Sequence, residues 1–309
     1  MRNFFFLFMG MMATLTAQET HIVVEAHSGK VLSGQGTTTK RPVASLTKMA
    51  TAIVAADWAK ATQTDLGKIE IIVPQSATVL GNSSSLGLRV GDTMTLRDAL
   101  YAALLSSDNI AAFTIAHHVG SSLLARRGKA GDPVKVFVAE MGKLAKSIGA
   151  TDTRFENPHG LNFGGEGGYS TAADMARVSI HAMRRNGISF IVRQKSRTIT
   201  INGTEKKITN TNELVGESGI LGIKTGTTNS AGPCLATCMD REPLVRPKPD
   251  GSKGVTPRRL IVIVLNSPDR FGRTRKLIRE GWAFYDSWIA AGAPVENRRK
   301  EILATPAPR

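Results

Sequence analysis

The sequence predicts an α/β protein in which one antiparallel β-sheet is flanked by helices and a mostly helical insert forms a second lobe. Clear strand patterns lie near the two ends of the chain, in the alternating H-I-V-V-E at 21–25 and the apolar run L-I-V-I-V-L at 260–265. From about residue 45 to 190 the patterns are mostly helical. The terminal strands would therefore share a sheet, with a cleft between sheet and insert as the natural place for chemistry.

Turn signals divide the strand regions. The stretch H-I-V-V-E-A-H-S-G-K-V-L breaks at Ser28-Gly29 and predicts a first β-hairpin. A two-stranded ribbon turning at Asn202-Gly203 is predicted later in the chain. Three further strands are predicted at Ile223–Thr225, Pro233–Cys238 and Leu260–Leu265, which gives a five-stranded antiparallel sheet. The segment 239–259, rich in Pro, Gly and charge, is predicted to be an exposed loop within a long hairpin.

Capping residues mark the helices. One helix opens near Ser45, and Thr95 to Asp98 resembles a capping box before A-L-Y-A-A-L-L. Asp132-Pro133 offers an N-cap followed by proline at the first helical position. Thr171 with Asp174 starts another helix, which we expect to end near Asn186-Gly187. The apolar spacing of K-L-I-R-E-G-W-A-F-Y-D-S-W-I-A-A predicts a closing helix.

The N-terminal residues suggest an exported protein. Residues 1–17 read as a signal peptide, because Arg2 precedes an apolar run of about a dozen residues, whereas a membrane span needs roughly 20. A single domain is expected over 18–292, followed by a basic, disordered tail over 293–309. The formal net charge of +15 suggests contact with an anionic wall polymer or membrane surface, although a solvated basic surface is an equal alternative. Export argues against a nucleic-acid partner.

The two cysteines predict neither a bridge nor a metal site. On a strand, Cys234 and Cys238 would lie on one face about 13 Å apart at roughly 3.3 Å per residue, beyond the reach of a disulfide. They are interpreted as buried core residues. The histidines lack ligand spacing, so no metal is predicted, and no other cofactor.

Ser45 and Lys48 in R-P-V-A-S-L-T-K-M-A-T are three residues apart and would share one helix face. A neutral lysine at that distance can take the serine proton and make the hydroxyl a nucleophile. The helix N-terminus would add N–H groups for a developing oxyanion. The alternative is that Ser45 caps the helix and Lys48 is solvated, since such a pair often arises by chance.

Two further motifs favour the chemical interpretation. Ser107-Asp108-Asn109 follows an apolar helical run, and Lys224-Thr225-Gly226 ends a predicted strand. Taken singly, they could be a polar turn and an edge-strand lysine. The combination S-x-x-K, S-D-N and K-T-G, in this order, is the signature of penicillin-binding proteins and class A β-lactamases.

More closely, the sequence resembles the D-alanyl-D-alanine carboxypeptidases, the low-molecular-mass penicillin-binding proteins of serine peptidase family S11. The motifs that carry the resemblance are R-P-V-A-S-L-T-K-M-A-T at 41–51, F-E-N-P-H-G-L at 155–161, Y-S-T-A-A-D-M-A at 169–176, and T-N-T-N-E-L with G-I-K-T-G-T-T at 209–228. The resemblance covers about residues 20–290. It implies a β-lactamase/transpeptidase-like fold and a cell-wall hydrolase of the periplasm or cell envelope, acting in cell shape, without a lipobox.

The resemblance also implies catalytic roles. Ser45 would attack the terminal D-Ala-D-Ala peptide bond of a peptidoglycan stem peptide and form an acyl-enzyme, with Lys48 as its base. Ser107 would relay a proton to the leaving amine, and Asn109 would hold the substrate amide. β-Lactams would inhibit the enzyme by acylating the same serine.

Substrate binding is implied for the third motif. Lys224 and Thr225 would bind the terminal carboxylate, and Gly226 would let the substrate backbone approach the strand. The backbone N–H groups of Ser45 and Thr227 would form the oxyanion hole.

The second motif departs from the family pattern at Asp108, where the family more often has glycine or another small residue. This makes the motif similar to that of β-lactamases. A class A-like β-lactamase needs a glutamate in an E-x-x-L-N context, but Glu166 lies in F-G-G-E-G-G and no such motif occurs. The sequence is also compatible with a DD-endopeptidase acting on cross-links and with a non-catalytic penicillin-binding wall protein.

Overall fold

The computed structural model describes residues 18–162, 167–247 and 249–303. The expected signal peptide and Glu166 lie outside these residues. The strands are β1 (Thr20–Glu25), β2 (Val31–Gln35), β3 (Glu70–Ile72), β4 (Thr93–Thr95), β5 (Ser196–Ile201), β6 (Thr204–Thr209), β7 (Ile220–Gly226), β8 (Cys234–Pro247) and β9 (Lys253–Leu265). The α-helices are α1 (Lys48–Thr62), α2 (Leu96–Leu104), α3 (Asn109–Arg126), α4 (Pro133–Ser147), α5 (Ala172–Met183), α6 (Asn186–Val192), α7 (Arg270–Ala290) and α8 (Arg298–Glu301), with 3₁₀ turns at Ala44–Thr47 and Gln75–Leu80.

The main sheet has five strands in the order β2-β1-β9-β8-β7, and every neighbouring pair is antiparallel. Val23 of β1 lies opposite Val262 of β9, so the two ends of the chain meet in the middle of the sheet. The predicted five-stranded antiparallel sheet and its first hairpin are confirmed. The ribbon turning at Asn202-Gly203 is also present, as a separate pair of strands, β5 and β6.

The unbroken apolar run in β9 is explained by burial on both faces of the sheet. Alternate residues Leu260, Val262 and Val264 pack with Trp282 and Tyr285 of α7 on one face. Ile261, Ile263 and Leu265 belong to the larger core on the other face, beneath the helical lobe. A strand covered on both sides needs apolar residues at every position rather than at alternate ones.

The helical lobe is organised around α1, which packs against α2, α3, α4 and α5. The predicted helix starts are confirmed by their caps: Thr95 Oγ1 accepts from the Asp98 N–H at 3.0 Å, and Asp132 Oδ1 from the Val134 N–H at 2.8 Å. One predicted end is wrong. Helix α5 ends at Met183, and Asn186-Gly187 instead opens the short helix α6.

The segment 239–259 is largely exposed and lies within a long hairpin, as predicted, but most of it is paired strand rather than loop. Pairing between β8 and β9 continues outward through Val245 and Val255 to Pro247 and Lys253. The ladder shifts register between Arg241 and Leu244, which is where Pro243 interrupts it. Proline has no N–H to donate, so it is tolerated at such an irregularity while the flanking residues stay paired.

The C-terminal segment also differs from expectation. Asn297 caps α8, Ile302 forms a β-bridge with Lys30, and the Leu303 N–H donates to the Gly29 oxygen at 2.8 Å. The Leu303 side chain is only 4% exposed. Residues 298–303, expected in a disordered tail, therefore pack on the β1–β2 turn, and 304–309 lie outside the described residues.

Both cysteines are buried, unpaired thiols, as predicted. Burial raises the pKa of Cys238 to about 12. Among the helices of the described ranges, none is long and apolar enough to cross a membrane.

Candidate active site

Ser45 and Lys48 meet where the main sheet joins the helical lobe. Ser45 lies in the 3₁₀ turn Ala44–Thr47, and Lys48 is the first residue of α1. The prediction that both occupy the first α-helical turn is therefore wrong for Ser45. A 3₁₀ turn eclipses residues at i and i+3. The pair consequently comes together, with Lys48 Nζ 2.8 Å from Ser45 Oγ.

The turn that carries Ser45 is held by two close backbone approaches. Ala44 adopts a left-handed φ of 48°, which is uncommon for a residue with a Cβ atom. A Cβ built on Gly160 would lie 2.0 Å from the Ala44 oxygen, and one on Gly226 would lie 3.0 Å from the Ser45 nitrogen. Gly160 is therefore required by the turn itself, and a side chain at position 226 would crowd it. The sequence predicts that Gly226 admits the substrate backbone, but its nearest approach is made by the backbone around Ser45.

Lys48 is fully buried and has three oxygen neighbours. Its Nζ lies 2.8 Å from Ser45 Oγ, 2.7 Å from Asn109 Oδ1 and 2.9 Å from the His159 carbonyl oxygen. Burial lowers the pKa of Lys48 to about 7, and the nearby Asp108 carboxylate opposes that shift. A neutral amine has two N–H groups and one lone pair. Donation to Asn109 and His159 therefore leaves the lone pair for the Ser45 hydroxyl.

The second motif is divided between the end of α2 and the start of α3. Asn109 opens α3, and its Nδ2 donates to the Ser83 oxygen at 3.0 Å, which orients the amide that faces Lys48. Ser107 adopts a left-handed φ of 60° in the connection. Within the described ranges, no hydrogen bond joins the Ser107 hydroxyl to Ser45 or Lys48. Asp108 is fully buried and caps α3.

The third motif lines the end of β7, next to the Ser45 turn. Lys224 is fully buried, and its Nζ donates to the Thr225 oxygen at 3.0 Å. Burial and the charges of Lys48 and Arg270 lower the pKa of Lys224 well below its ordinary value. Thr225 Oγ1 lies 2.6 Å from Thr211 Oγ1, and Thr227 is exposed just beyond the strand. This edge therefore presents amine, hydroxyl and backbone groups together.

Sequence reasoning missed Arg270 altogether. It is the first residue of α7, and its Nη1 donates to the Gly226 oxygen at 3.1 Å and to Thr227 Oγ1 at 2.8 Å. A guanidinium at this position adds a second cation beside Lys224 for an anionic ligand. No local pattern marks Arg270, because α7 comes back to the site only through the folding of the sheet.

His159 belongs to the H-G-L segment, for which the sequence predicts no role in the site. Its carbonyl oxygen accepts from Lys48, while its ring Nδ1 accepts from the Leu161 N–H at 3.1 Å. Burial and the charge of Lys48 lower the pKa of the His159 ring to about 3. The neutral ring therefore shapes the loop that holds Lys48 rather than exchanging protons near neutral pH.

Comparison with known proteins gives one consistent result. The S11 peptidase family model, described as D-alanyl-D-alanine carboxypeptidase, matches residues 10–243. A D-alanyl-D-alanine carboxypeptidase of Mycobacterium tuberculosis is 33% identical over 214 residues, 69% of this chain and 67% of that protein. A D-alanyl-D-alanine endopeptidase of Escherichia coli is 29% identical over 234 residues, 74% of this chain and 69% of that protein.

Solved structures agree with the sequence relatives. The Streptomyces K15 DD-transpeptidase has a TM-score of 0.70 at 26% identity, covering 85% of this chain and 96% of its own. Penicillin-binding protein D2 of Listeria monocytogenes, solved in an ampicillin-bound form, has a TM-score of 0.68 at 25% identity, with coverage of 85% and 96%. The expected β-lactamase/transpeptidase-like fold is confirmed. This chain belongs to serine peptidase family S11, the family of the D-alanyl-D-alanine carboxypeptidases.

Proposed function

We propose that the protein removes the terminal D-alanine from peptidoglycan pentapeptides through an acyl-enzyme on Ser45. The observation that carries the proposal is the placement of Lys48, buried and 2.8 Å from the Ser45 hydroxyl. A lysine whose pKa burial has lowered to about 7 can be neutral at the pH of the cell envelope and can act as a base.

In the first step, Lys48 takes the proton of the Ser45 hydroxyl as Oγ bonds to the carbonyl carbon of the D-Ala-D-Ala bond. The negative charge that develops on the carbonyl oxygen is stabilised by the backbone N–H groups of Ser45 and Thr227. Their proximity is supported by Gly226, whose notional Cβ is 3.0 Å from the Ser45 nitrogen. The C–N bond then breaks, and the proton of Lys48 passes through the Ser107 hydroxyl, which must turn toward Lys48 for this step, to the leaving D-alanine amine.

In the second step, water replaces the amine. Lys48, neutral again, takes a proton from the water, whose oxygen bonds to the ester carbonyl carbon. The Ser45 ester bond breaks, and the proton returns to Oγ. Asn109 would hold the substrate amide on the side of the helical lobe throughout.

Substrate selection would rest on the free carboxylate. We place it beside the end of β7, near the Lys224 amine, the Thr225 hydroxyl and the Arg270 guanidinium. Lys224 is fully buried, so a charge on it is stabilised mainly when an anion arrives.

A DD-endopeptidase acting on cross-links is a second candidate, favoured by the relative of that name from Escherichia coli. Both reactions use the same acyl-enzyme and differ only in the amine that leaves. A class A-like β-lactamase and a non-catalytic penicillin-binding wall protein are less well supported, because the deacylating E-x-x-L-N motif is missing from the sequence and the motif residues are intact.

The location follows from the same proposal. We propose that residues 1–17 direct export and that the catalytic domain, spanning 18–292, works in the periplasm or cell envelope on the wall and so affects cell shape. The formal net charge of +15 supports peripheral contact with an anionic wall or membrane surface.

Four measurements on the purified protein test this proposal. Intact-mass spectrometry after penicillin treatment should give one adduct, mapped to Ser45. D-Alanine should be released from a pentapeptide by the wild type and not by Ser45→Ala, and a cross-linked muropeptide dimer would reveal endopeptidase cleavage. Fast, sustained turnover of a chromogenic cephalosporin, or an adduct at another residue, would overturn the proposal.

A further inference from the structure

Asp108 is a fully buried carboxylate to which the proposed reaction assigns no role. It lies between Ser107 and Asn109, and its polar neighbours are all groups that can donate. Its Oδ1 accepts from the Ala111 N–H at 2.8 Å. Its Oδ2 accepts from Ser84 Oγ at 2.5 Å, the Leu86 N–H at 3.0 Å and Ser85 Oγ at 3.3 Å. Both oxygens of the carboxylate are thus occupied by hydrogen-bond donors.

These contacts hold residues 83–88, which we call the 83–88 loop, against the start of α3. Within the loop, Ser84 Oγ also accepts from the Leu88 N–H at 2.8 Å. From the outside, Lys206 of β6 donates to the Leu86 oxygen at 2.5 Å. Asp108 therefore anchors one side of a loop whose other side is held by the β5–β6 ribbon.

The loop reaches the catalytic pair through Asn109. The Ser83 oxygen accepts from Asn109 Nδ2 at 3.0 Å, and Asn109 Oδ1 accepts from Lys48 Nζ at 2.7 Å. A displaced loop would release the amide of Asn109 and, with it, one of the acceptors that aim the lysine lone pair at Ser45. The carboxylate of Asp108 thus acts on Lys48 indirectly, through hydrogen bonds to the 83–88 loop and then through Asn109.

The charge of Asp108 acts on Lys48 directly. It raises the pKa of Lys48, in opposition to burial. The other titratable or charged groups near the lysine are the His159 ring, Lys224 and, beyond it, Arg270. The charges of Lys48 and Arg270 lower the pKa of Lys224, so Asp108 supplies negative charge beside a set of basic side chains.

We propose that Asp108 is a positioning residue for the Ser45–Lys48 pair: its carboxylate holds the 83–88 loop and, through the loop, Asn109 in place, and its negative charge lies near the buried amine of Lys48. The inference rests on the proposed function, in which neutral Lys48 is the base. It gives a physical reason for an aspartate at a position that is more often glycine or another small residue in this family.

The test compares pH profiles of penicillin acylation and of D-alanine release for the wild type and Asp108→Asn. Loss of the negative charge lowers the pKa of Lys48, so the neutral base persists to lower pH. We expect the acid limb of kcat/KM to move down by on the order of one pH unit. We also expect the plateau to fall about tenfold, because the amide nitrogen of asparagine cannot accept from the loop.

A matched variant separates the two effects. Ser84→Ala removes a loop contact and keeps the charge of Asp108, so its plateau should fall while its acid limb stays with that of the wild type. If Asp108→Asn does not fold, Asp108→Gly gives the same comparison of the acid limb with a residue that the family accommodates.

The outcomes are distinct. Suppose that the wild type is active and that the acid limb of the Asp108→Asn or Asp108→Gly profile coincides with that of the wild type. This result overturns the inference and leaves the proposed function standing. A wild type that penicillin does not acylate at Ser45 overturns the proposed function first. If the acid limb of Ser84→Ala moves as far as that of Asp108→Asn, the shift is due to the position of the loop. This result overturns the role of the charge.

Discussion

Lys48 Nζ lies 2.8 Å from Ser45 Oγ across a single 3₁₀ turn, and its other two hydrogen-bonding directions end on Asn109 and on the His159 carbonyl oxygen. The amine is thereby held with its lone pair directed at the Ser45 hydroxyl. This relationship depends on four separate segments of the chain, because Gly226 presses on the turn from β7 while Asn109 and His159 come from the helical lobe.

Replacing the amine should remove most of the activity. Lys48→Met keeps an apolar stem of similar length and eliminates the base, so acylation of Ser45 by penicillin should slow by about 10²- to 10⁴-fold. Intact-mass spectrometry of samples quenched at successive times measures that rate. Lys60→Met, at an exposed lysine of the same helix, is the control and should acylate at the wild-type rate. A Lys48→Met rate equal to that of the control would exclude Lys48 as the base.

Binding of the terminal carboxylate of the substrate should depend on Arg270. Arg270→Leu removes a charged hydrogen-bond donor beside Thr227, so KM for a peptide with a free C-terminus should rise about 10- to 100-fold, with a smaller change in kcat. An amide-terminated peptide should show little difference between the two proteins. Arg279→Leu, exposed on the same helix, is the matched control. An equal loss on both peptides would assign Arg270 a structural role instead.

A methyl group at Gly160 should be severely destabilising. Its φ of 86° disfavours any residue with a Cβ, and the added atom would lie 2.0 Å from the Ala44 oxygen. We expect Gly160→Ala to lower the free energy of unfolding by about 2–4 kcal/mol, measured by urea denaturation. Gly142→Ala, in α4 with nothing within 4 Å of the new Cβ, should instead raise it by about 0.5–1 kcal/mol. A Gly160→Ala protein as stable as the wild type would mean that the Ser45 turn can move aside.

Stability should fall in mild acid because of His159. Its pKa is about 3 in the folded protein and near 6.5 in the unfolded chain, so between these values the unfolded state binds more protons and stability drops as pH falls. His159→Gln removes this proton uptake. The loss of Tm between pH 7 and pH 5 should therefore be smaller in His159→Gln than in the wild type or in His27→Gln, an exposed histidine. Equal losses in all three proteins would contradict the prediction.

Much of the fold could be predicted because its signals are local. The caps at Thr95, Asp132 and Thr171 are satisfied within three residues, and the apolar run of β9 indicates a buried strand whatever its partners are. The site could be predicted for a similar reason. Ser45 and Lys48 lie one turn apart, and Lys224 to Gly226 share one strand end, so spacing alone places Ser45 beside Lys48.

The features that were missed depend on partners far away in the sequence. Prolines in 239–259 indicate a loop, yet the ladder from Val245 to Val255 forms because its two strands continue a sheet that is fixed elsewhere. The same holds for Leu303, which is buried by a contact with Gly29. Arg270 reaches Thr227 only after β9 has entered the sheet. No window of local sequence contains these contacts.

The pairing of β1 with β9 has a consequence for how the chain is made. Thr20 lies opposite Leu265, so β1, which pairs with the adjacent β2 in its hairpin, meets its other neighbour β9 only after all the residues between them have been synthesised. Contacts this distant in sequence form slowly, because a very large loop must close first. We expect the main sheet to stay incomplete in the nascent chain until β9 has been synthesised.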